Sequence, residues 1–513
     1  MNVPLTTQDF IDRAAVACPD AVAVRDEPGV PGDLGALTYA ELAARARGFA
    51  AALDDLGLST GARVAIVSPN CARFMVALFG ATASGRVFVP VNFRLKPAEV
   101  RFILGHCGAE LVLVDPELDG ALGELPVARR VVMDGVADAA LFPLDGSPAH
   151  WEPDEDAAGT INYTSGTTSD PKGVMLTHRN LWLNAVTFGW HMGLSERDVY
   201  LHTLPQFHCN GWGVPLAATA MGIEQIVLRK VDGEEILRRV ERHGVTVLCA
   251  APTVISAVLE AAQARAACGE PVPGAGTVRV FVAGSPPPSA VIERVESLLG
   301  WEFNQIYGLT ETSPLLTINR ARPQWDGLDV AERARLLSRA GTPAIGARLR
   351  IDENGELLAR SNTVFKGYWE RQDLTDAAIV DGWFHTGDGG FQSDDGFITI
   401  TDRFKDVIIS GGENVSSIEV EDRLYQHADV AEAAVIGVPD EKWGETVKAL
   451  VVLRDGAGSG EAELIAFCRE GLAHYKCPTS VEIRPELART ATGKLQKFKL
   501  REPYWAGRER GVA

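Results

Sequence analysis

Thr164-Ser-Gly-Thr-Thr-Ser-Asp-Pro-Lys-Gly173 lies between two apolar, strand-like runs, Gly159-Thr-Ile-Asn-Tyr163 and Val174-Met-Leu176. Hydroxyls, two glycines and a lysine packed this densely suit a polyphosphate. The hydroxyls and bare backbone N–H groups donate to phosphate oxygens, glycine permits close approach, and Lys172 adds a point charge. A Walker loop, GxxxxGK[ST], is the obvious rival and fails on spacing, because the fifth position after Gly166 is Pro171 and Gly173 follows Lys172 rather than preceding it. Read alone, the segment is as readily a Ser/Thr-rich surface loop, so its surroundings decide.

Outward from the loop, helical and strand patterns alternate for most of the chain, which predicts α/β layers with largely parallel sheets. Thr38-Tyr-Ala-Glu41 predicts a capping box opening a helix through Ala43 to Leu56, followed by a buried strand at Arg63-Val-Ala-Ile-Val67. The pair repeats as Ala98 to Cys107 and Leu111-Val-Leu-Val114, and Leu181, Ala185, Phe188 and Met192 keep helical spacing after the N-cap candidate Thr177. Thr246 to Ala250 and Arg279 to Ala283 read as buried strands. Character changes near Thr401, where Asp402-Arg-Phe-Lys-Asp406 is charged and hinge-like. Helices at Ile418 to His427 and Ala462 to Leu472 and strands at Ala433 to Val438 and Val447 to Val452 then suffice for a small α+β domain. The expected division is a large, multi-subdomain α/β domain over 1–402 and the small domain over 403–513.

The 513 residues carry 49 Lys+Arg against 68 Asp+Glu, a formal net charge of −19, which excludes a general nucleic-acid binder. A nucleotide substrate stays open, since it needs only a local positive pocket. Apolar residues at 46% and charged residues at 23% are globular values. The eight cysteines (Cys18, Cys71, Cys107, Cys209, Cys249, Cys268, Cys468 and Cys477) form no CxxC pair and no ligand spacing with histidine, as in a reducing compartment. Phe74 to Val91 is the most apolar stretch, but Gly80, Gly85 and Arg86 break it into a buried helix–strand passage. Met1 to Asp12 carries no secretory pattern. The expectation is a soluble, cytoplasmic protein without a transmembrane segment, with Glu152 to Asp156 as a solvated acidic loop.

Four more motifs follow the loop in order: Gln305-Ile-Tyr-Gly-Leu-Thr-Glu-Thr312, His385-Thr-Gly-Asp388, Asp402-Arg-Phe-Lys-Asp-Val-Ile-Ile-Ser-Gly-Gly-Glu-Asn414 and Thr492-Gly-Lys494. With it they resemble the adenylate-forming (AMP-binding) superfamily of acyl-CoA synthetases, stand-alone adenylation domains and beetle luciferase, from Asp9 to Arg501. Leu204 to Trp212, the stretch Trp325 to Arg339 and Glu441-Lys-Trp-Gly-Glu445 are similar to the medium-chain and plant-type acyl-activating members. The resemblance implies a carboxylic acid:CoA ligase working in two steps. A carboxylate attacks the α-phosphorus of ATP and expels pyrophosphate, and the thiol of CoA then attacks the acyl adenylate. Two anions meet in the first step, so positioned cations and donors must offset their repulsion.

The resemblance also implies roles. Thr164, Ser165, Gly166, Thr167 and Thr168 hold the β- and γ-phosphates with Lys172 as counter-ion. Gly284 and Ser285 match the adenine-edge strand end, and Gln305 is counted with the nucleotide contacts. Tyr307 stacks on adenine, Gly308 keeps the backbone close, and Thr310 donates to the α-phosphate. Glu311 is the expected Mg²⁺ ligand, a hard oxygen for a hard cation. Asp388, helped by Arg403, accepts from both ribose hydroxyls, and Lys494 bridges the substrate carboxylate and the α-phosphate. His208 stands beside the acyl pocket. Gly211 and Gly213 flank Trp212 and leave room for a medium- or long-chain or bulky apolar acid. Lys405 matches a hinge about which the small domain is mobile, withdrawing Lys494 and bringing Gly411, Gly412 and Glu413 to line a pantetheine tunnel.

Without the resemblance, Tyr307 reads as a core aromatic, Asp388 as a turn residue after Gly387, Gly411-Gly412 as a turn and Lys494 as a solvated charge. Cys209 beside His208 suggests a nucleophilic pair, which a reaction without a covalent enzyme intermediate does not need. Ser169 replaces the usual glycine of the phosphate loop, Gly389 the usual apolar residue after Asp388, and Ala488 a common proline. None removes a chemical group from the site. Two rival readings are a stand-alone adenylating enzyme loading a carrier protein and a non-catalytic ligand-binding homologue; the net charge opposes attraction to an acidic carrier. The expected partners are a small carboxylic acid, ATP with Mg²⁺, and CoA, with no nucleic acid; a homodimer is compatible with the sequence.

Overall fold

Runs of four or five aliphatic residues buried on both faces build the two largest sheets, as parallel central strands require. Val64 to Val67, Leu111 to Val114 and Val247 to Ala250 are all fully buried. The computed structural model describes residues 3–164, 171–404, 406–410, 413–440, 442–490 and 494–506. Its nine-stranded sheet has the order Thr342–Pro343, Leu315–Arg320, Glu302–Gly308, Arg279–Val282, Val247–Ala250, Val199–His202, Glu224–Val227, Val22–Arg25, Ala36–Thr38. Neighbours run parallel from Glu302–Gly308 to Val22–Arg25 and antiparallel at both ends. A seven-stranded sheet runs Gly367–Tyr368, Lys172–Thr177, Ala158–Thr164, Val87–Val91, Arg63–Val67, Leu111–Val114, Arg129–Val132.

The principal core joins inward residues of both sheets, among them Ile66, Phe88 and Leu113 from one and Tyr200, Val227 and Phe281 from the other. Helix Ala72–Thr82 is buried along its whole length within this cluster, which explains why Phe74 to Val91 is so apolar without spanning a bilayer. Thr38 forms the expected capping box and Thr177 the expected N-cap, completed into a box by Asn180, opening helices Tyr39–Asp55 and His178–Met192. The acidic run differs from expectation: Glu155 accepts from the Leu5 N–H at 2.8 Å and pairs with Arg179 at 2.6 Å, so it ties the N-terminal segment to helix His178–Met192.

A third, antiparallel sheet (Arg348–Ile351, Glu356–Arg360, Trp383–Gln392, Ile379–Val380 and Ile398–Arg403) carries Asp388 and Arg403 on adjacent strands. Beyond it the chain builds a small unit with its own sheet and its own cores, around Ile408, Val435 and Ala449 on one side and Ile436, Leu487 and Leu500 on the other. The whole is therefore a large N-terminal α/β domain and a small C-terminal α+β domain. Among the described residues no helix is long and apolar enough to cross a membrane.

Candidate active site

The antiparallel ladder between Ala158–Thr164 and Lys172–Thr177 ends with Thr164 opposite Lys172, so the two ends of the phosphate-loop motif stand side by side. Ser165, Gly166, Thr167 and Thr168, with Ser169, lie outside the described residues. The Lys172 ammonium sits 5.3 Å from the centre of the Tyr368 ring, and the Tyr368 hydroxyl donates to Glu311 Oε1 at 2.8 Å. Burial and the Glu311 carboxylate push the Tyr368 phenol far above its ordinary range, so it remains a donor. Glu311 is held from behind as well, its carbonyl accepting from the Phe365 N–H at 2.8 Å. Thr310 precedes it at the start of a single 3₁₀ turn, Thr310–Thr312.

This cluster fits a magnesium ion that arrives with a polyphosphate. Among the described residues no group of three or more acids, histidines or cysteines could hold a metal alone. A single carboxylate oxygen donor, with phosphates and water completing the shell, is how Mg²⁺ is usually bound.

On the nucleoside side, the pleat of Glu302–Gly308 presents Tyr307, whose hydroxyl donates to Asp388 Oδ2 at 2.8 Å. Arg403 lies directly across the ladder from Asp388, with Nε 3.4 Å from Oδ1. Both oxygens of this buried carboxylate thus face protein donors. Gly284 and Ser285 are exposed at the carboxyl end of the parallel strand Arg279–Val282, where α/β sheets bind ligands. Gly284 has φ +97°, and a Cβ there would meet nothing within 4 Å.

Two residues of this motif also serve the chain's own packing. Gln305 is buried at 4% exposure, and its amide nitrogen, turned toward the end of helix Val330–Leu337, donates to the carbonyls of Leu337 and Ser338 at 2.9 and 3.0 Å. Its side chain thus braces that helix end. Gly308 is glycine because of its own chain: a Cβ would lie 1.6 Å from the Pro314 carbonyl oxygen, where the hairpin into Leu315–Arg320 closes on itself.

On the acyl side the backbone does something unusual for L-residues. Cys209, Asn210, Gly211, Trp212 and Gly213 all have positive φ, between 47° and 73°, making a left-handed turn directly after His208. The turn is fixed by buried amides. Asn210 donates to Thr160 Oγ1 at 3.2 Å and accepts from Asn162 Nδ2 at 3.2 Å, while Asn184 donates to the Trp212 carbonyl at 3.1 Å. Gly211 and Gly213 suit this left-handed backbone, a Cβ at Gly213 would lie 2.5 Å from Asn184 Nδ2, and Trp212, 5% exposed, belongs to the principal core. The two glycines thus have a structural reason of their own beside Trp212.

Lys494 is bracketed by Thr490, whose N–H donates to the Lys494 carbonyl at 2.7 Å and whose Oγ1 accepts from the Lys494 N–H at 3.0 Å. Burial first, and the Lys494 charge second, bring the His208 imidazole down to about 4, so it is neutral at physiological pH. Burial and the charge of Glu311 push the Cys209 thiol far up, which removes the nucleophilic-pair reading. Direct contacts thus join Glu311, Tyr368 and Lys172, while charge links Lys494 to His208 and Glu311 to the adjacent Cys209, although these residues are spread over 172–494.

Lys405, Gly411 and Gly412 lie outside the described residues. Glu413 is exposed, paired with Ser410 in the hairpin of Ile408–Ser410 and Glu413–Val415, and has no hydrogen bond or ion pair to the cluster. Sequence reasoning missed Tyr368, Asn162, Asn184 and Asn210. Only Asn210 carried a signal, since Asn-Gly tolerates positive φ.

Residues 11–369 match the family model described as AMP-binding enzyme, and 419–494 match the AMP-binding enzyme C-terminal domain. The 2-methylpropanoate–CoA ligase of Humulus lupulus is 36% identical, over 97% of this chain and 95% of its own. The 4-hydroxybutyrate–CoA ligase of Metallosphaera sedula is also 36% identical, over 88% and 87%. The o-succinylbenzoate coenzyme A synthetase of Bacillus subtilis, solved in complex with ATP and magnesium ion, superposes with TM-score 0.81 at 27% identity, covering 96% of this chain and 99% of its own.

Proposed function

Because the chain belongs to the AMP-binding enzyme family, we propose that it joins a short aliphatic carboxylic acid to CoA through an acyl adenylate formed between its two domains. It is an AMP-forming acyl-CoA synthetase, using ATP with magnesium and CoA. The observation that carries the site reading is the convergence of Lys494 and His208 with Glu311, Tyr368 and Lys172.

In this reading Lys172 and the loop after Thr164 hold the β- and γ-phosphates, and Glu311 holds the magnesium ion. The ion, when bound, neutralises phosphate charge as pyrophosphate departs. Tyr368 orients the Glu311 carboxylate by donating to one oxygen and leaving the other open. Asp388, helped by Arg403, exchanges its Tyr307 donor for ribose hydroxyls, which frees Tyr307 to lie against adenine, while Gly284 and Ser285 flank the base. Thr310 donates to the α-phosphate. Lys494 spans the α-phosphate and the attacking carboxylate. His208, uncharged above about pH 4, adds no second cation and can only orient the acid by a hydrogen bond or by its ring.

For the second step, rotation about Lys405, at a boundary between 402 and 403, withdraws Lys494 and brings Gly411, Gly412 and Glu413 toward the thiol. One cleft cannot hold both a bridging cation and a thiol channel. The short aliphatic acid is supported by relatives named for 2-methylpropanoate and 4-hydroxybutyrate and by the core packing of Trp212. A pyrophosphate-release screen tests it, with acetate, 2-methylpropanoate, 4-hydroxybutyrate, octanoate and anthranilate, each with and without CoA. Preference for octanoate or anthranilate overturns the acid class, and release independent of every acid overturns the activity. Thioester formed on a purified carrier protein but not on CoA would move the acceptor. Cytoplasmic residence and a homodimer complete the proposal, checked by fractionation and sedimentation.

A further inference from the structure

Helix Ser417–Tyr425 lies in the small domain, yet it is fastened to the large domain at two points. Asp422 Oδ1 accepts from the Ser289 N–H at 2.8 Å and from Ser289 Oγ at 3.1 Å, with Oδ2 at 3.3 Å from the same hydroxyl. Ser289 is 7% exposed and opens helix Ser289–Arg294, whose preceding residue, Pro288, supplies no side-chain cap. The Ser289 N–H would have no partner within its own helix, so the acceptor comes from the other domain. That helix follows directly on the Gly284–Ser285 strand end. At the second point, Asp402, just before Lys405, accepts from the Ser417 N–H at 2.9 Å and from the Ser417 hydroxyl. Burial first, and the charge of Arg454 second, lower the Arg294 guanidinium at this surface.

We infer that Asp422 is a positioning residue for the first half-reaction. By holding Ser289 it fixes the small domain in the orientation that places Lys494 beside His208. It touches no substrate and acts only through the domain arrangement. The inference rests on the proposed rotation about Lys405: once the domain turns, Asp422 and Ser289 separate and water takes over both, so the contact weights one arrangement against the other. Hydrogen bonds to an ionised group contribute enough to shift such a balance about tenfold.

The test uses the full chain with an acid that the screen accepts. Acid-dependent ATP–pyrophosphate exchange reports the first half-reaction, and thioester formation from supplied acyl adenylate and CoA reports the second. Asp422→Ala is expected to lower exchange about tenfold and to leave thioester formation within twofold. Asp422→Asn, which retains an acceptor, recovers part of the loss. Should Asp422→Ala fold poorly, Ser289→Ala, which deletes only the hydroxyl contact, is expected to show a smaller loss confined to exchange. Equal losses in both half-reactions at an unchanged melting temperature, or wild-type exchange in Asp422→Ala, overturn the inference alone. A wild-type chain without exchange on any acid removes the functional reading and this inference with it.

Discussion

Around His208 the backbone is fixed by buried neutral groups: Asn162, Asn210 and Thr160 bond to one another, and Asn184 donates to the Trp212 carbonyl. Around Asp402 the fastening is ionic. Lys497 pairs with Glu421 at 2.8 Å and donates to Ser417, which in turn is held by Asp402, while Arg501 pairs with Asp406 at 3.1 Å. The same short helix, Lys497–Trp505, supplies both cations and begins just after Lys494. Buried amides that lose their partners gain nothing in exchange, so the first arrangement resists rearrangement. Asp402 and Ser417, by contrast, can exchange each other for water when domains part. The contrast is between a wall that must keep its shape and a joint that must move.

The largest expected break in that comparison is Lys494→Ala. Losing a cation aimed at developing charge is worth on the order of a hundred- to a thousandfold in rate. Acid-dependent ATP–pyrophosphate exchange should fall by that factor, with thioester formation from supplied acyl adenylate much less affected; equal losses would place Lys494 outside the first transition state. Next comes Glu421→Ala, which leaves Lys497 buried without its partner. It is expected to cost about 3 kcal/mol, read as early melting of the small domain in calorimetry or hydrogen exchange. A whole-molecule shift of the same size would instead make the joint as integral as the wall.

Asn210→Ala sharpens the other side. It removes three buried hydrogen bonds and puts alanine at φ 54°, a combined loss of about 2–3 kcal/mol in urea unfolding. Asn210→Gly loses the same bonds without the backbone penalty and should fall about 1 kcal/mol short of that; identical losses would show that left-handed strain is absent. The last comparison is with pH. His178, His202 and His208 are all held down to about 4, mainly by burial, whereas in the unfolded chain they titrate near 6.5. The unfolded state therefore binds more protons between those values, so these residues favour folding above pH 6.5 and lose that contribution as pH falls toward 4. A urea midpoint that declines across this window is expected, while the adenylation rate shows no imidazole titration near neutrality. An acid limb at pH 6 to 7 that disappears in His208→Asn would contradict the neutral ring.

Much of the fold was legible because its signals are local. Val64 to Val67 and Leu111 to Val114 are unbroken aliphatic runs, Thr38 and Thr177 stand three residues before side chains that complete their boxes, and the small domain's elements fall within a few residues of expectation. The site was legible only as ordered motifs. Gln305 misled because it shares a strand face with Tyr307, and only the distant helix end at Leu337 and Ser338 shows that its amide is already engaged. Gly308 suggested a ligand's approach when the crowding comes from Pro314. Tyr368 and the Asp422–Ser289 contact left no trace, since each depends on residues far apart in sequence that only the sheets bring together.

Trp212 has a consequence for how this enzyme could change its diet. Its indole is packed into the same cluster as Phe188 and Tyr200, and cutting such a ring to alanine typically forfeits about 3–5 kcal/mol. Evolution toward a roomier substrate would thus run into collapse of the scaffold before it reached new chemistry. Lineages that diverge in acid preference are expected to keep tryptophan here and to drift at side chains that meet the acid without supporting a sheet.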